Sequence, residues 1–418
     1  MCTHWYRLCI VLPLHAVALS QIVGWVKERM LGGIPPVDCV GRGGAPVELK
    51  VLGVLRILGR ATCFDGITEL SGIPTSSMQA FFHRFTAWFR KDVYPEFVYV
   101  PKTREDLARV ETPYALVGLP GCIGSMDVVH IAWCMCPTYL MNLAKGKEGY
   151  TSIAYNVICD HKGRAQAVLA GTYGAFNDKT IVRYDNYVHA IRTQAFFTEL
   201  QYEVRTGPGA CDVEMVEGAY LIIDGGYHKW AATQAAAKVT TSLNYTAWRT
   251  RVESVRKDIE CFFGRLKARF RVLKTPISLK TMRAVDDVFF TCVALQNIIL
   301  DWDHEFNELT TWDVTANWEC FGSEGVFADD EGPAEDARWW CRPTLIRAKV
   351  GIKGGGRFIP ESIDDFSSCG ALSTTIATWD AFESIKSPAP IGEAARYDLK
   401  QAKLVTHFAH ARSTWLLS

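Results

Sequence analysis

The chain has 418 residues, and its 45 basic and 45 acidic side chains cancel, so no overall basicity announces a nucleic-acid partner and any such contact must come from local clusters. At 49% hydrophobic and 22% charged it has the make-up of a soluble globular protein with room for roughly two or three domains, and no run reaches the roughly 18–20 apolar residues of a membrane span. Fourteen cysteines without two Cys-x-x-Cys units exclude a zinc framework and read as reduced thiols of an intracellular protein.

Arg7 followed by the apolar stretch 8–19 admits two readings, a secretory signal or a packed helix continued by residues 20–30. Pro13, His15 and the free-thiol pattern favour the helix. Residues 32–46 are rich in Gly and Pro and form a linker, leaving 1–44 as an N-terminal segment of unclear role. Leu49, Leu52, Leu55, Ile57 and Leu58 repeat at helical spacing up to Gly59, and two more helices are expected over 64–70 and 78–90 around the turn 71–77. This makes 45–112 a helical, helix-turn-helix-like domain. The same pattern also describes plain helix packing. The polar residues Ser76, Ser77, Gln79, His83 and Arg84 are what speaks for DNA contact.

From about residue 118 the texture changes to strands. Strands are expected at 127–133 and 151–158, a turn at 160–163, a hairpin partner at 164–173, a helix over 177–193, a buried strand over 218–223 and a long helix over 246–272. Strand, hairpin, helix, strand, helix is the order of an RNase H-like core, so the fold class expected over 113–300 is α/β, a mixed sheet flanked by helices. Beyond residue 300 the periodicity fades. Residues 301–418 read as an appendage of unknown role, and Gly354–Gly356 follows no strand that would make it a phosphate loop.

Asp127 closes the stretch Gly121–Met126, Asp224 closes the apolar run Tyr220–Ile223, and Glu260 lies in the long helix. Carboxylates that converge without matching Lys or Arg repel one another, and the usual relief is a hard divalent cation with oxygen ligands, Mg²⁺ or Mn²⁺, as in phosphoryl transfer. Asp178 is a fourth candidate ligand. It could equally cap the helix that starts there, a role open to Asn177 as well. His130, three residues beyond Asp127 on a strand, should face the other way and pack or support.

Arg256, four residues before Glu260, and Lys267, seven after, share a helical face with it, while Arg265 and Arg269 extend the positive cluster. Such residues bind phosphates without sequence preference, or form an ordinary solvated, salt-bridged face. The apolar Ile259, Phe262, Phe263 and Leu266 mark the opposite side of the helix as core and so favour a fixed Glu260.

Gly121-Cys122-Ile123-Gly124-Ser125-Met126-Asp127-Val128-Val129-His130, Asn177-Asp178, Ile223-Asp224-Gly225-Gly226-Tyr227 and Arg256-x-x-x-Glu260-x-x-Gly264-x-Leu266-Lys267-x-Arg269-Phe270 resemble the motifs of PIF/Harbinger DDE transposases and the nucleases derived from them. The resemblance covers roughly 45–300. It implies an RNase H-like fold and divalent metal held by Asp127, Asp224 and Glu260. It also implies cleavage and joining of double-stranded DNA at transposon terminal repeats, a Myb-like accessory protein, a homo-oligomer, and residence in the nucleus with the cytoplasm as a second site. Three departures stand out: Val128-Val129 where the family commonly has Gly-Thr, Asn177 where it has a histidine, and Glu253 where related insertion-sequence enzymes often carry a tyrosine. None removes a carboxylate. The alternative is a domesticated, catalytically inactive DNA-binding protein that keeps the fold.

Overall fold

The computed structural model describes residues 16–33, 43–207, 211–236, 242–306 and 392–415. The chain divides into two units, Met1–Glu305 with Ile391–Ser418, and Phe306–Pro390; the elements below lie in the first, apart from Phe306 itself. The apolar stretch that raised the question of a signal lies largely outside the described residues.

Helix α1 (Ala16–Trp25) runs on through a π-type turn, Val26–Met30. Helix α2 (Val47–Arg60) is amphipathic, burying Val51, Leu52, Val54, Leu55 and Leu58, and it stops where Ala61 adopts φ 55°. Helix α3 (Phe64–Ser71) ends at Gly72, whose φ of 71° lets its N–H reach the Thr68 carbonyl; a buried Ile73 and Pro74 then lead into α4 (Thr75–Trp88). Ser76, Ser77, Gln79 and His83 face solvent, whereas Arg84 donates to the Met30 carbonyl at 3.0 Å. Helix α5 (Arg104–Leu116), absent from the expected elements, is started by a capping box between Thr103 and Asp106.

The sheet begins with β1 (Cys122–Ala132), β2 (Ser152–Cys159), β3 (Ala165–Val168) and β4 (Thr172–Tyr173). Two helices follow where one was expected, α6 (Asp178–Val182) and α7 (Asn186–Thr193). The break is Asp185, whose carboxylate accepts from the N–H groups of Tyr187 and Val188 and so starts a new helix. A separate hairpin, β5 (Gln201–Arg205) and β6 (Val213–Glu217), precedes β7 (Tyr220–Ile223) and β8 (Thr233–Ala235). Helices α8 (Leu243–Arg269), α9 (Met282–Phe306) and α10 (Glu393–Trp415) complete the described chain.

The six-stranded sheet has the order β3-β2-β1-β7-β8, with β4 also on β2. Strand β2 is antiparallel to both β1 and β3, while β7 and β8 run parallel to β1. The architecture is thus α/β with a mixed sheet flanked by helices. Strand β2 is buried along its whole length because both faces are covered. On one face Tyr155, Val157 and Cys159 share a core with Ile259, Phe262 and Leu266 of α8, with α9, and with Leu58, Phe82 and Phe89 of the N-terminal helices. On the other, Ile123, Met126, Ile158, Leu221 and Ile223 pack against Val182, Val188 and Ile191 of α6 and α7.

Within the stretch 301–418, helix α10 packs onto this unit. It buries Tyr397, Leu404 and Phe408, its Gln401 donates to the Ala235 carbonyl at 2.8 Å, and Glu393 pairs with Arg192 at 3.0 Å.

Candidate active site

Ser125 of β1 pairs with Ile222 of β7, so two residues further on Asp127 stands level with Asp224, just past the end of β7. Met126 faces the core of α6 and α7. Strand alternation therefore turns Asp127 to the opposite face, toward α8. There it accepts the N–H of Val128 at 2.8 Å and, more weakly, the Tyr227 hydroxyl at 3.4 Å. Burial raises the Asp127 carboxyl above the ordinary range, and the charges of Asp178 and Asp224 add to that, while the Val128 N–H and the Arg256 guanidinium oppose it.

Asp178 reaches the same place from the first turn of α6. Asn177, not Asp178, caps that helix by accepting from Thr180 N–H at 2.8 Å, which leaves the Asp178 carboxylate beside Lys147, 3.9 Å away. Asp224 is exposed, as are Gly225 and Gly226 in the turn that follows it. Tyr227 lies within electrostatic reach of all three aspartates. Its buried hydroxyl is pushed well up, first by burial and then by Asp127, Asp178 and Asp224. The spacing of the chain gave Tyr227 no role; its place became visible only once the three strand-edge segments met.

Glu260 is half exposed on α8, and its Oε1 is held by Arg256 at 2.7 Å, with Glu253 on the same guanidinium at 3.1 Å. Asp178 and Asp224 thus lie within electrostatic reach of Asp127, while Glu260 is taken up in an ion pair with Arg256. Among the described residues no three His, Cys, Asp or Glu side chains already stand as a ligand set for a metal ion. The donor chemistry fits Mg²⁺ or Mn²⁺, since every candidate ligand is a carboxylate oxygen.

The other expected binders are turned to the protein. Lys267 donates to the His130 carbonyl at 3.2 Å, and burial lowers its ammonium despite Glu148. Arg269 donates to Gln296 at 3.1 Å, and Arg265 lies over Gly163, where a Cβ would strike its guanidinium at 1.8 Å. His130 hydrogen-bonds Ser152 at 3.1 Å. Asp258 pairs with His161 at 2.6 Å, away from Glu260.

No solved structure matches the chain at a significant level. Protein ALP1-like of Arabidopsis thaliana is 23% identical over 278 residues, and the match spans 65% of this chain and 65% of that protein's length. The family model described as plant transposon protein matches residues 96–307, half of the chain, and takes in all four carboxylates. The chain belongs to that plant transposon protein family, the PIF/Harbinger-related group whose motifs its own resemble.

Proposed function

We propose that the protein is a DDE-type transposase or transposase-derived nuclease, which cuts and joins double-stranded DNA by divalent-metal-dependent phosphoryl transfer. The observation that carries this reading is that the register of β1 and β7 sets Asp127 level with Asp224, with the charge of Asp178 acting on Asp127. The strand order β3-β2-β1-β7-β8, with three antiparallel strands followed by two parallel ones, supports an RNase H-like reading of the sheet.

Asp127, Asp178, Asp224 and Glu260 would hold a Mg²⁺ or Mn²⁺, and the chemistry it would supply there is activation of an attacking water or 3′-hydroxyl and stabilisation of the leaving oxygen. The chain's own residues do the rest. Tyr227 steadies Asp127 through its hydroxyl, the exposed Gly225–Gly226 turn sets no side chain beside Asp224, and Arg256, paired with Glu260, also sets its positive charge against Asp127. The exposed polar side of α4 fits a second DNA contact of helix-turn-helix type. Transposon terminal repeats, a Myb-like accessory protein, a homo-oligomer and nuclear residence belong to the same proposal, on the strength of the family.

The Arg256–Glu260 pair favours a second reading, a DNA-binding protein of this family that no longer cleaves. Nicking of supercoiled plasmid and of a matched terminal-repeat duplex in Mg²⁺ separates the two. The transposase reading expects cleavage by wild type that is lost in Asp224→Ala and Glu260→Ala. Binding without metal-dependent cleavage of either substrate overturns it in favour of the second.

A further inference from the structure

The connection from β1 to β2, residues 133–151, holds five of the twelve large hydrophobic side chains that are exposed among the described residues: Met135, Tyr139, Met141, Leu143 and Tyr150. Tyr139 is 82% exposed. Such a concentration marks a contact surface. The segment is held in place at both ends. At its base the Trp133 indole donates to the Leu279 carbonyl at 2.7 Å and the Cys134 N–H to the Ile277 carbonyl at 3.2 Å. Near its tip the Leu143 carbonyl accepts the Ala175 N–H at 3.0 Å, and Gly146 lies so close to Gly174 that a Cβ would fall 1.9 Å from the Gly174 oxygen.

That tip is one wall of the carboxylate site. Lys147 stands 3.9 Å from Asp178, while Glu148 acts electrostatically on both His130 and Lys267. Tyr139 lies near Tyr173, which packs edge-on against Phe176 at 6.0 Å, two residues before Asp178. An aromatic group thus adjoins the carboxylates, and the exposed Lys145 and Lys147 outnumber Glu148 on the same loop. Arg265, Lys267 and Arg269 of α8 are turned to the protein, whereas the loop lysines Lys145 and Lys147 are exposed at that edge.

Aromatic faces next to lysines match a strand whose bases are unpaired, since a duplex hides the faces of its bases and offers only phosphates. We propose that the β1–β2 connection grips unpaired nucleotides of a DNA end beside the carboxylates, with Tyr139 stacking on a base and Lys145 and Lys147 meeting the backbone. The inference rests on the DNA-processing reading above. It adds the substrate class: an end with a single-stranded stretch at the site of reaction.

The test uses the full chain in EDTA, with a blunt duplex and the same duplex carrying a short single-stranded tail that contains 2-aminopurine. The tailed duplex should bind roughly five- to a hundredfold more tightly, the range set by stacking of one base, and the 2-aminopurine fluorescence should be quenched. Tyr139→Phe should keep both effects. Tyr139→Ser should lose both while binding blunt duplex as wild type does. Equal affinity for blunt and tailed duplex, or a serine variant that still quenches, overturns the proposal and leaves the nuclease reading standing. A fall in oligomeric mass caused by Tyr139→Ser, with tailed binding unchanged, assigns the surface to a second copy of the chain and also overturns it. Failure to bind any DNA refutes the DNA-processing reading and this proposal with it.

Discussion

Two groups of carboxylates in this molecule have been given opposite treatment. Asp286 and Asp287 of α9 are buried against Arg90, whose guanidinium lies 3.5 Å from one and 3.0 Å from the other and stacks over Phe290. Asp286 also accepts from the Tyr155 hydroxyl at 2.8 Å and the Gly171 N–H at 3.2 Å. Asp127 instead has like charges for neighbours, Asp178 and Asp224, whose charges raise its carboxyl further. Among the described residues, Asp127 receives one short hydrogen bond from its neighbour and a long one from Tyr227, Asp178 has Lys147 at 3.9 Å, and nothing donates to the carboxylate of Asp224. Acids that are fully partnered join the N-terminal helices to the sheet. Acids left beside like charges at an accessible edge cost stability, and that cost is what a cation-binding site accepts.

The largest effect that sharpens this contrast is on activity. Asp224→Asn and Asp127→Asn should lower Mg²⁺-dependent nicking by at least about a thousandfold, roughly 4 kcal/mol of barrier. Urea unfolding should meanwhile show them as stable as wild type or slightly more so, and a loss of stability instead would mean that these aspartates belong to the structural class.

Arg90→Ala should do the reverse. Removing the partner of two buried carboxylates should cost about 3–5 kcal/mol in urea unfolding. A cost under about 1 kcal/mol would erase the distinction between the two groups.

Asp286 also sets a pH dependence, because burial pushes its carboxyl from 3.8 up to about 6 despite Arg90. A carboxyl raised in the folded state binds its proton more tightly there than in the unfolded chain. Its contribution is therefore fully present below about pH 4 and is lost as pH rises through about 6, a change of about 3 kcal/mol at roughly 1.4 kcal/mol per pKa unit. Unfolding measured at pH 4 and pH 6.5 should show wild type losing stability relative to Asp286→Asn, and parallel profiles would contradict this.

The smallest effect concerns Tyr227. With a hydrogen bond of 3.4 Å to Asp127, Tyr227→Phe should change stability by under about 1 kcal/mol, yet lower nicking severalfold if the hydroxyl orients the carboxylate. Unchanged nicking would limit Tyr227 to packing.

Much of this arrangement was legible in the chain. An apolar run ending in an acid marks a strand end, and this places Asp224; helical spacing with an apolar stripe outlined α8, whose Ile259, Phe262 and Leu266 are buried as that stripe requires. Facing direction was not legible. Arg265, Lys267 and Arg269 belong to a positive cluster in sequence, but only the neighbours of α8 decide that they turn to Gly163, His130 and Gln296. Asn177 and Asp178 are both good caps, and which of the two takes the Thr180 N–H was settled by the fold. Helix α9 buries polar residues, Asp286, Asp287, Gln296 and Asn297, alongside its apolar ones, so its polar positions do not mark a solvent face, while β8 is three residues long and held by contacts with α10 from far along the chain.

The central claim is that Asp127, Asp178 and Asp224 form a cation site. Electron paramagnetic resonance of Mn²⁺ titrated into the full-length protein tests it most directly, since bound and free Mn²⁺ give distinct signals. The account predicts saturable binding by wild type, competed by Mg²⁺ and abolished in Asp127→Asn and Asp224→Asn while Asp286→Asn still binds; equal Mn²⁺ binding by wild type and both edge variants would contradict it.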